Sequence, residues 1–245
     1  MRPLRLLLIT GVLLVPARAA LADGGTVTGH VTFTGTPPAQ KPYAVPTAFA
    51  GCGTQVSMDR LVIGKNNGVA NSVIYIEGLK KASAASATHD TVVADQKGCR
   101  YFPHVMAVTE GDAFTALNSD STFHNVHIYF DANHSTVMNF AEPNKGTKMV
   151  EHVKRPGMYQ LRCDVHPWMN AYVYVAGDGF ATVTGADGSY KLAGVAPGTY
   201  KLVMWHEGWT TKVAGGRPEF SEAVQQTQEI TVTAGQTTTA NFSLK

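Results

Sequence analysis

A cysteine, a histidine and a methionine lie close together in the chain, at Cys163, His166 and Met169 of the run Cys-Asp-Val-His-Pro-Trp-Met. A thiolate and an imidazole together select a late transition metal, and a thioether as the third group suits copper better than zinc. Pro167 follows the histidine and disfavours a helical backbone for it, so the run is predicted to be a turn. In a turn, side chains three residues apart can point at one centre. The spacing therefore predicts most of a copper site.

A second imidazole would complete a trigonal site, and the run Phe-His-Asn-Val-His offers two, His124 and His127. The two histidines are three positions apart, so on a regular strand their side chains point in different directions. Only one of them should bind the same metal. The residues alone leave open which one it is.

Strands must position these residues, because from Asp23 onward β-branched runs punctuated by glycine dominate and no long helical stripe of apolar residues occurs. Short strands recur between residues 91 and 175 at a spacing typical of a Greek-key sandwich, with a polar crossover at residues 133–147. The segment 181–192 predicts a hairpin around Ala-Asp-Gly, and further strands follow it. The chain is therefore predicted to be all-β.

The region 91–175 resembles the cupredoxins, the type 1 blue copper family, and most closely its amicyanin- and plastocyanin-like members. The runs His-Asn-Val-His-Ile and Cys-Asp-Val-His-Pro-Trp-Met carry the resemblance and occur in the family's order. The resemblance implies a Greek-key cupredoxin sandwich in which His124 is the first imidazole ligand. It further implies that Cys163 is the thiolate, His166 the second imidazole and Met169 the weak axial thioether.

The same resemblance implies roles for the neighbouring residues. Asn125 is expected to tie the two ligand-bearing loops together and to donate its backbone N–H to the cysteine sulfur. Pro167 and Trp168 are expected to form an apolar patch around a partly exposed edge of His166, through which electrons pass. For Trp168, packing at a domain boundary is the alternative. Copper held by two histidines, a cysteine and a distant methionine is an electron-transfer centre with no open position for substrate, so the chain is predicted not to be an enzyme.

The C-terminal region resembles a second type of domain, the prealbumin-like, carboxypeptidase-regulatory β-sandwich. The runs Val-Thr-Gly-Ala-Asp-Gly-Ser-Tyr and Ala-Pro-Gly-Thr-Tyr carry this resemblance. The opening pattern of that family, Gly-x-Val-x-Gly-x-Val, occurs instead at residues 25–31. One hypothesis is therefore that the cupredoxin is inserted into a sandwich built from both chain ends. The predicted domains are an N-terminal β region, a cupredoxin domain and a smaller prealbumin-like β-sandwich, at residues 23–88, 89–177 and 178–245.

The N-terminus predicts export. Arg2 and Arg5 precede an apolar run of about ten residues, and Ala20 and Ala22 form a small-x-small cleavage site, so residues 1–22 are predicted to be a signal peptide. The apolar run is well short of the roughly 20 residues that span a bilayer, and no later run is long enough. The mature protein is therefore expected to be periplasmic or secreted and to lack a membrane span.

Three cysteines in an exported chain leave one without a partner. If Cys163 binds metal, Cys52 and Cys99 remain to pair in an oxidising compartment. Without the signal peptide, the 20 basic residues of the chain fall to 17 against 18 acidic ones. The mature chain thus lacks the basic excess of a nucleic-acid-binding protein.

These features predict an exported protein with one type 1 copper ion that carries single electrons between periplasmic redox partners. A c-type cytochrome or a periplasmic dehydrogenase is the expected partner. Two alternatives stay open: a copper-binding or copper-delivery module that does not cycle electrons, and a structural protein of the cell envelope.

Overall fold

The computed structural model describes residues 24–79, 91–152, 154–177, 180–214 and 217–245. The predicted signal peptide, residues 1–22, lies outside these ranges. The strands are β1 (Gly25–Phe33), β2 (Tyr43–Ala44), β3 (Gln55–Val56), β4 (Val73–Glu77), β5 (Thr91–Gln96), β6 (Tyr101–Phe102), β7 (Val105–Thr109), β8 (Ala113–Asn118), β9 (His124–Phe130), β10 (Ser135–Glu142), β11 (Lys148–His152), β12 (Gly157–Arg162), β13 (Asn170–Ala176), β14 (Ala181–Val183), β15 (Ser189–Val195), β16 (Gly198–His206), β17 (Thr210–Ala214), β18 (Arg217–Phe220), β19 (Val224–Val232), β20 (Thr237–Thr239) and β21 (Phe242–Leu244). Short 3₁₀-helices lie at Thr47–Cys52, Lys65–Asn67 and Asp131–Asn133.

The prediction of an all-β chain is confirmed by this architecture. Within the ranges that the structure describes, no helix is both long and apolar enough to cross a membrane.

Strands β5–β13 form a unit that we call the central sandwich. One of its sheets has the order β10-β9-β12-β13-β7 and the other the order β11-β8-β5-β6. Phe114, Val126 and Leu161 belong to the buried core shared by these strands. β13 runs parallel to β7 and β5 runs parallel to β8, so strands distant in sequence lie side by side. Connections of this kind are typical of a Greek-key sandwich.

Both ends of the chain contribute to a second unit, which we call the outer sandwich. β1 pairs with β15 antiparallel and with β20 and β21 in parallel. β4 lies between β14 and β16 in the opposite sheet. The central sandwich is thus inserted between β4 and β14, and the pairing that the insertion hypothesis requires between the two chain ends is present. The predicted domain limits near residues 88 and 178 fall outside the described residues and stay predictions.

Two local predictions are wrong. The segment 181–192 does not form a hairpin, because its turn passes from one sheet to the other, so that β14 joins β4 while β15 joins β1. The polar crossover predicted at residues 133–147 contains β10, which pairs with β9 at the edge of its sheet. Most side chains of β10 are exposed, so the strand lacks the alternation of apolar and polar residues that marks a half-buried strand.

An aromatic contact joins the two sandwiches. Tyr75 of β4 stacks on Tyr174 of β13 with 4.3 Å between ring centroids, and Tyr172 of β13 meets Trp205 of β16 at 5.0 Å. β13, the strand that leaves the predicted metal-binding loop, is therefore held against the outer sandwich.

Residues 43–56 form a segment that we call the strap. It consists of the paired strands β2 and β3 with the 3₁₀-helix Thr47–Cys52 between them. The disulfide Cys52–Cys99, with an S–S distance of 2.00 Å, attaches the strap to the central sandwich. The pairing predicted for these two cysteines is present.

Candidate metal site

Two neighbouring strands bring the predicted ligands to one edge of the central sandwich. His124 is the first residue of β9, and Cys163 follows the last residue of β12. Because β12 runs antiparallel to β9, the start of one strand lies beside the end of the other. His166 and Met169 lie in the loop that connects β12 to β13.

Two backbone hydrogen bonds close this loop. The N–H of Met169 donates to the carbonyl of His166 at 2.9 Å, and the N–H of Cys163 donates to the carbonyl of Met169 at 3.4 Å. Met169 is buried and belongs to the same core cluster as Cys163. The backbone bonds keep it next to both predicted ligands, and its role as the axial thioether stays a prediction.

The side chains of His124, Cys163 and His166 converge on one point. Their ligand atoms all lie within 4.8 Å of one another. Nδ1 of His124 is 3.1 Å from Nδ1 of His166, and Sγ of Cys163 is 3.5 Å from that second nitrogen. The three residues are 0 %, 3 % and 2 % exposed in the order given above. One sulfur and two imidazole nitrogens, buried together, form the donor set that copper prefers.

Burial keeps both imidazoles in the neutral form that binds a metal. Burial, followed by repulsion from His124, lowers the pKa of His166 from 6.5 to about 4. Burial also lowers the pKa of His124, although Asp120 acts in the opposite direction. A neutral imidazole has one bare nitrogen, and such a nitrogen is the common histidine ligand atom in proteins.

Asn125 connects the two loops around the sulfur atom. Its backbone N–H donates to Sγ of Cys163, as do the N–H groups of Val165 and His166. Its side-chain oxygen accepts the N–H of Asp164 at 2.7 Å, and its amide group donates to the Asp164 carboxylate at 2.8 Å. These are the contacts that the resemblance implied for Asn125. Burial raises the pKa of the Cys163 thiol in spite of the three N–H donors, so a metal must displace the thiol proton.

Asp120 is a residue of the site that the sequence did not reveal. Its Oδ2 lies 3.0 Å from Nε2 of His124, the ring nitrogen that faces away from the cluster. A carboxylate in this position holds the proton on Nε2 and presents the bare Nδ1 to the metal site. Burial alone would raise the pKa of Asp120, but the N–H groups of Cys99 and Gly98, together with His124, outweigh it and lower the pKa. The only signal in the sequence was an acidic residue four positions before the predicted ligand His124.

His127 lies outside the cluster. Its Nδ1 is 2.9 Å from a carboxylate oxygen of Asp164, and its Nε2 is 2.9 Å from the hydroxyl of Thr136. Of the two histidines between which the residues left a choice, the structure brings His124 to Cys163 and places His127 on the outer side of the strand.

The predicted exposed patch around His166 is wrong. His166 is 2 % exposed and Trp168 is 4 % exposed, because the strap covers both. Tyr43 of the strap stacks on Trp168 with 5.1 Å between centroids, and Phe49 meets the His166 ring edge-on at 5.3 Å. Trp168 thus packs under the strap, and Pro167 is the member of the predicted patch that is exposed.

The disulfide of the strap lies beside the same histidine. Sγ of Cys52, Sγ of Cys99 and a ring nitrogen of His166 lie within 4.8 Å of one another. The indole N–H of Trp168 donates to the carbonyl of Cys99 at 3.1 Å. The candidate metal site is therefore bordered by a cystine on the side where an exposed histidine edge was expected.

Comparison with known proteins finds similarity to both kinds of domain. The model of the carboxypeptidase regulatory-like domain matches residues 165–245, about a third of the chain. No curated protein matches the sequence. A structure of a reduced amicyanin variant is 24 % identical, covers 42 % of this chain and 97 % of its own, and superposes with a TM-score of 0.32.

Two further solved structures are similar to slightly smaller parts of the chain. A purple cupredoxin from Nitrosopumilus maritimus is 24 % identical over 35 % of this chain and 98 % of its own, with a TM-score of 0.30. A copper-containing nitrite reductase from Thermus scotoductus SA-01 is 20 % identical over 40 % of this chain, with a TM-score of 0.31, and the match spans 25 % of that enzyme. The all-β class rests on the strands described above, and the family match supports the predicted prealbumin-like β-sandwich in the C-terminal third of the chain.

Proposed function

We propose that this chain is an exported type 1 copper protein that carries single electrons between redox partners. The observation that supports the proposal is the convergence of His124, Cys163 and His166 in a buried cluster. When bound, copper would supply a one-electron couple whose potential depends on the axial group and on the surroundings of the sulfur.

The roles of the residues follow from their contacts. His124 and His166 would hold the ion through Nδ1, since these nitrogens face each other across the cluster. Cys163 would supply the thiolate, and the N–H groups around its sulfur would stabilise the negative charge. Met169, held in the closed loop, is the candidate axial ligand. Because every donor comes from a buried, hydrogen-bonded element, the site is built to keep one geometry, which suits electron transfer.

The exposed side of the ligand loop is the proposed contact for a partner. The strap closes the His166 edge, whereas Val165 and Pro167 are exposed. A cavity of about 400 Å³ borders the loop on this side and is lined by residues that include Cys163 and Met169. A c-type cytochrome or a periplasmic dehydrogenase is the proposed partner, and in this proposal the chain is a carrier rather than an enzyme.

An absorption and EPR spectrum of the copper-loaded protein tests the site. We expect an intense band near the red end of the visible range from the thiolate ligand, and its loss in Cys163→Ser. His124→Ala should also abolish the band, while His127→Ala, three residues away, is the matched control and should keep it. A colourless protein that binds one Cu(II) per chain would contradict the proposed type 1 site.

The second candidate function is copper binding or delivery without electron cycling. The cystine next to His166 favours it, because reduction of the disulfide would place two soft thiolate donors beside the candidate metal site. A reversible one-electron titration separates the two functions. A carrier returns to its oxidised spectrum with its copper still bound, whereas a delivery module loses copper to a chelator when reduced.

A further inference from the structure

The His166 imidazole is shared by two groups of possible ligands. One group is the candidate site, in which the ring meets His124 and Cys163. The other consists of the ring and the two sulfur atoms of Cys52 and Cys99, all within 4.8 Å of one another. In the oxidised chain the two sulfurs are bonded to each other and cannot act as thiolates.

We propose that Cys52 and Cys99, once their disulfide is reduced, form with His166 a second metal site that takes Cu(I) and passes it to His124 and Cys163. Two thiolates and one imidazole are soft donors, and soft donors select Cu(I). The shared imidazole places the two sites next to each other. The proposal extends the proposed function to the way in which copper arrives, but the site itself does not depend on electron transfer.

Cys52 is the more exposed of the two disulfide cysteines. No residue of the 3₁₀-helix Thr47–Cys52 is buried, and Cys52 is half-buried at its end. Cys99 is 1 % exposed, so a reductant meets the sulfur of Cys52 first. The reductant is a dithiol: its first thiolate attacks Cys52 and releases the Cys99 thiolate, and its second thiol then displaces Cys52. The Cys52–Cys99 bond breaks, a disulfide forms in the reductant, and two electrons and two protons pass to the cysteines.

One half of the second site stays fixed after reduction. The N–H of Cys99 donates to the carboxylate of Asp120 at 2.8 Å, and its carbonyl accepts the indole N–H of Trp168 at 3.1 Å. His166 packs against the ring of Trp168, with 5.2 Å between centroids. Cys52, on the exposed strap, is the ligand that moves. Loss of the disulfide thus leaves Cys99 and His166 in place for the incoming ion.

A Cu(I) titration of the Cys163→Ser variant tests the proposal, because this variant lacks the thiolate of the first site. The full-length variant is prepared oxidised, or reduced with a phosphine that is then removed, and is titrated without oxygen against a chromogenic Cu(I) chelator. We expect the reduced form to bind one Cu(I) per chain. The oxidised form should bind at least about tenfold more weakly, the smallest effect expected even of an outer-shell partner of a metal. Equal binding by the two forms would overturn the proposal.

Two further variants in the same background identify the ligands. Cys163→Ser combined with Cys52→Ser and Cys99→Ser should bind Cu(I) as weakly as the oxidised form, whatever the reductant. Cys163→Ser combined with His166→Ala should bind more weakly than reduced Cys163→Ser. If the triple variant still binds Cu(I) as tightly as reduced Cys163→Ser, the thiols are not the ligands. The blue spectrum of the wild type is a separate readout, so failure of the electron-carrier proposal would leave this result unaffected.

Discussion

Two buried polar clusters of the molecule differ in how their groups are paired. At the junction of the sandwiches, the carboxylate of Glu207 meets Arg60 at 2.8 Å, the ring of His104, and the amide group of Asn170 at 3.4 Å. We call this the junction cluster. Both oxygens of Glu207 have donors there. In the candidate metal site, by contrast, two ring nitrogens and a sulfur face one another.

The difference indicates what each cluster is for. A buried polar group is costly unless it is paired, and in the junction cluster the chain supplies both charges itself. The junction cluster therefore holds the two sandwiches together. In the candidate metal site, the converging atoms of His124, Cys163 and His166 are a sulfur and ring nitrogens, which are groups that can bind a cation. The contrast separates a cluster that is paired within the chain from one whose groups are arranged as a candidate metal site.

The largest expected effect concerns the junction cluster. Glu207→Gln removes the carboxylate and leaves the charge of Arg60 without its partner, which should cost about 3–5 kcal/mol in the free energy of unfolding. The control is Glu77→Gln, which breaks an ion pair with Lys201 in which both side chains are more than half exposed, and should cost less than about 1 kcal/mol. Urea unfolding of the metal-free protein measures both. Equal losses would mean that the junction cluster adds nothing beyond a surface ion pair.

Copper should raise the free energy of unfolding by binding at the candidate metal site, and the junction cluster should play no part in this gain. At a free copper concentration a hundred times the Kd, the free energy of unfolding should rise by about 2.7 kcal/mol. Glu207→Gln should show the same increment from its lower starting point, whereas Cys163→Ser should show much less. Removal of copper by a chelator should reverse the gain. An equal increment in Cys163→Ser would show that copper binds elsewhere.

The contrast between the clusters also shows what the sequence could predict. The proximity of Cys163, His166 and Met169 was predictable because they lie in one loop, where spacing and Pro167 determine which side chains can meet. The closure of the His166 edge was not, because the covering rings belong to the strap, more than a hundred residues earlier in the chain. The junction cluster was equally hidden, since Arg60 and Glu207 come from distant segments and no local pattern relates them.

Prediction of the fold likewise succeeded for features with a local sequence pattern and failed for others. Alternating runs predicted most strands, and the opening pattern at residues 25–31 indicated that the two chain ends pair. The hairpin at residues 181–192 failed because a turn motif specifies a reversal of the chain but not the sheet that each strand joins. Strand β10 was missed because an exposed edge strand needs no apolar face, and its sequence therefore lacks an alternating pattern.

Asp120 allows the imidazole of the candidate metal site to be perturbed without removing a ligand. Asp120→Asn replaces the carboxylate that bonds to Nε2 of His124 and should weaken copper binding about 10- to 100-fold. Asp187→Asn, at an exposed turn of the outer sandwich, is the matched control and should leave the Kd unchanged. Competition with a chelator of known affinity measures both constants. Unchanged binding in Asp120→Asn would mean that the ring of His124 is held by packing alone.

The smallest effect is the pH dependence of the metal-free protein. The pKa of His166 is about 4 in the folded chain and 6.5 ordinarily, so between these values the unfolded chain takes up a proton that the folded chain does not. Stability is therefore complete above pH 6.5 and falls as the pH falls towards 4. One pH unit below the ordinary pKa, the loss should be about 1.4 kcal/mol. Urea unfolding above pH 6.5, and again one pH unit below the ordinary pKa, measures this loss.

His166→Gln should flatten this slope in part, because burial lowers the pKa of His124 as well. His134→Gln, which removes an exposed imidazole, should leave the slope as it is. If His166→Gln leaves the pH dependence unchanged, the group that causes it lies outside the candidate metal site. The pH dependence of the free energy of unfolding therefore tests, without any metal, whether the imidazoles of the candidate metal site are held in their neutral form.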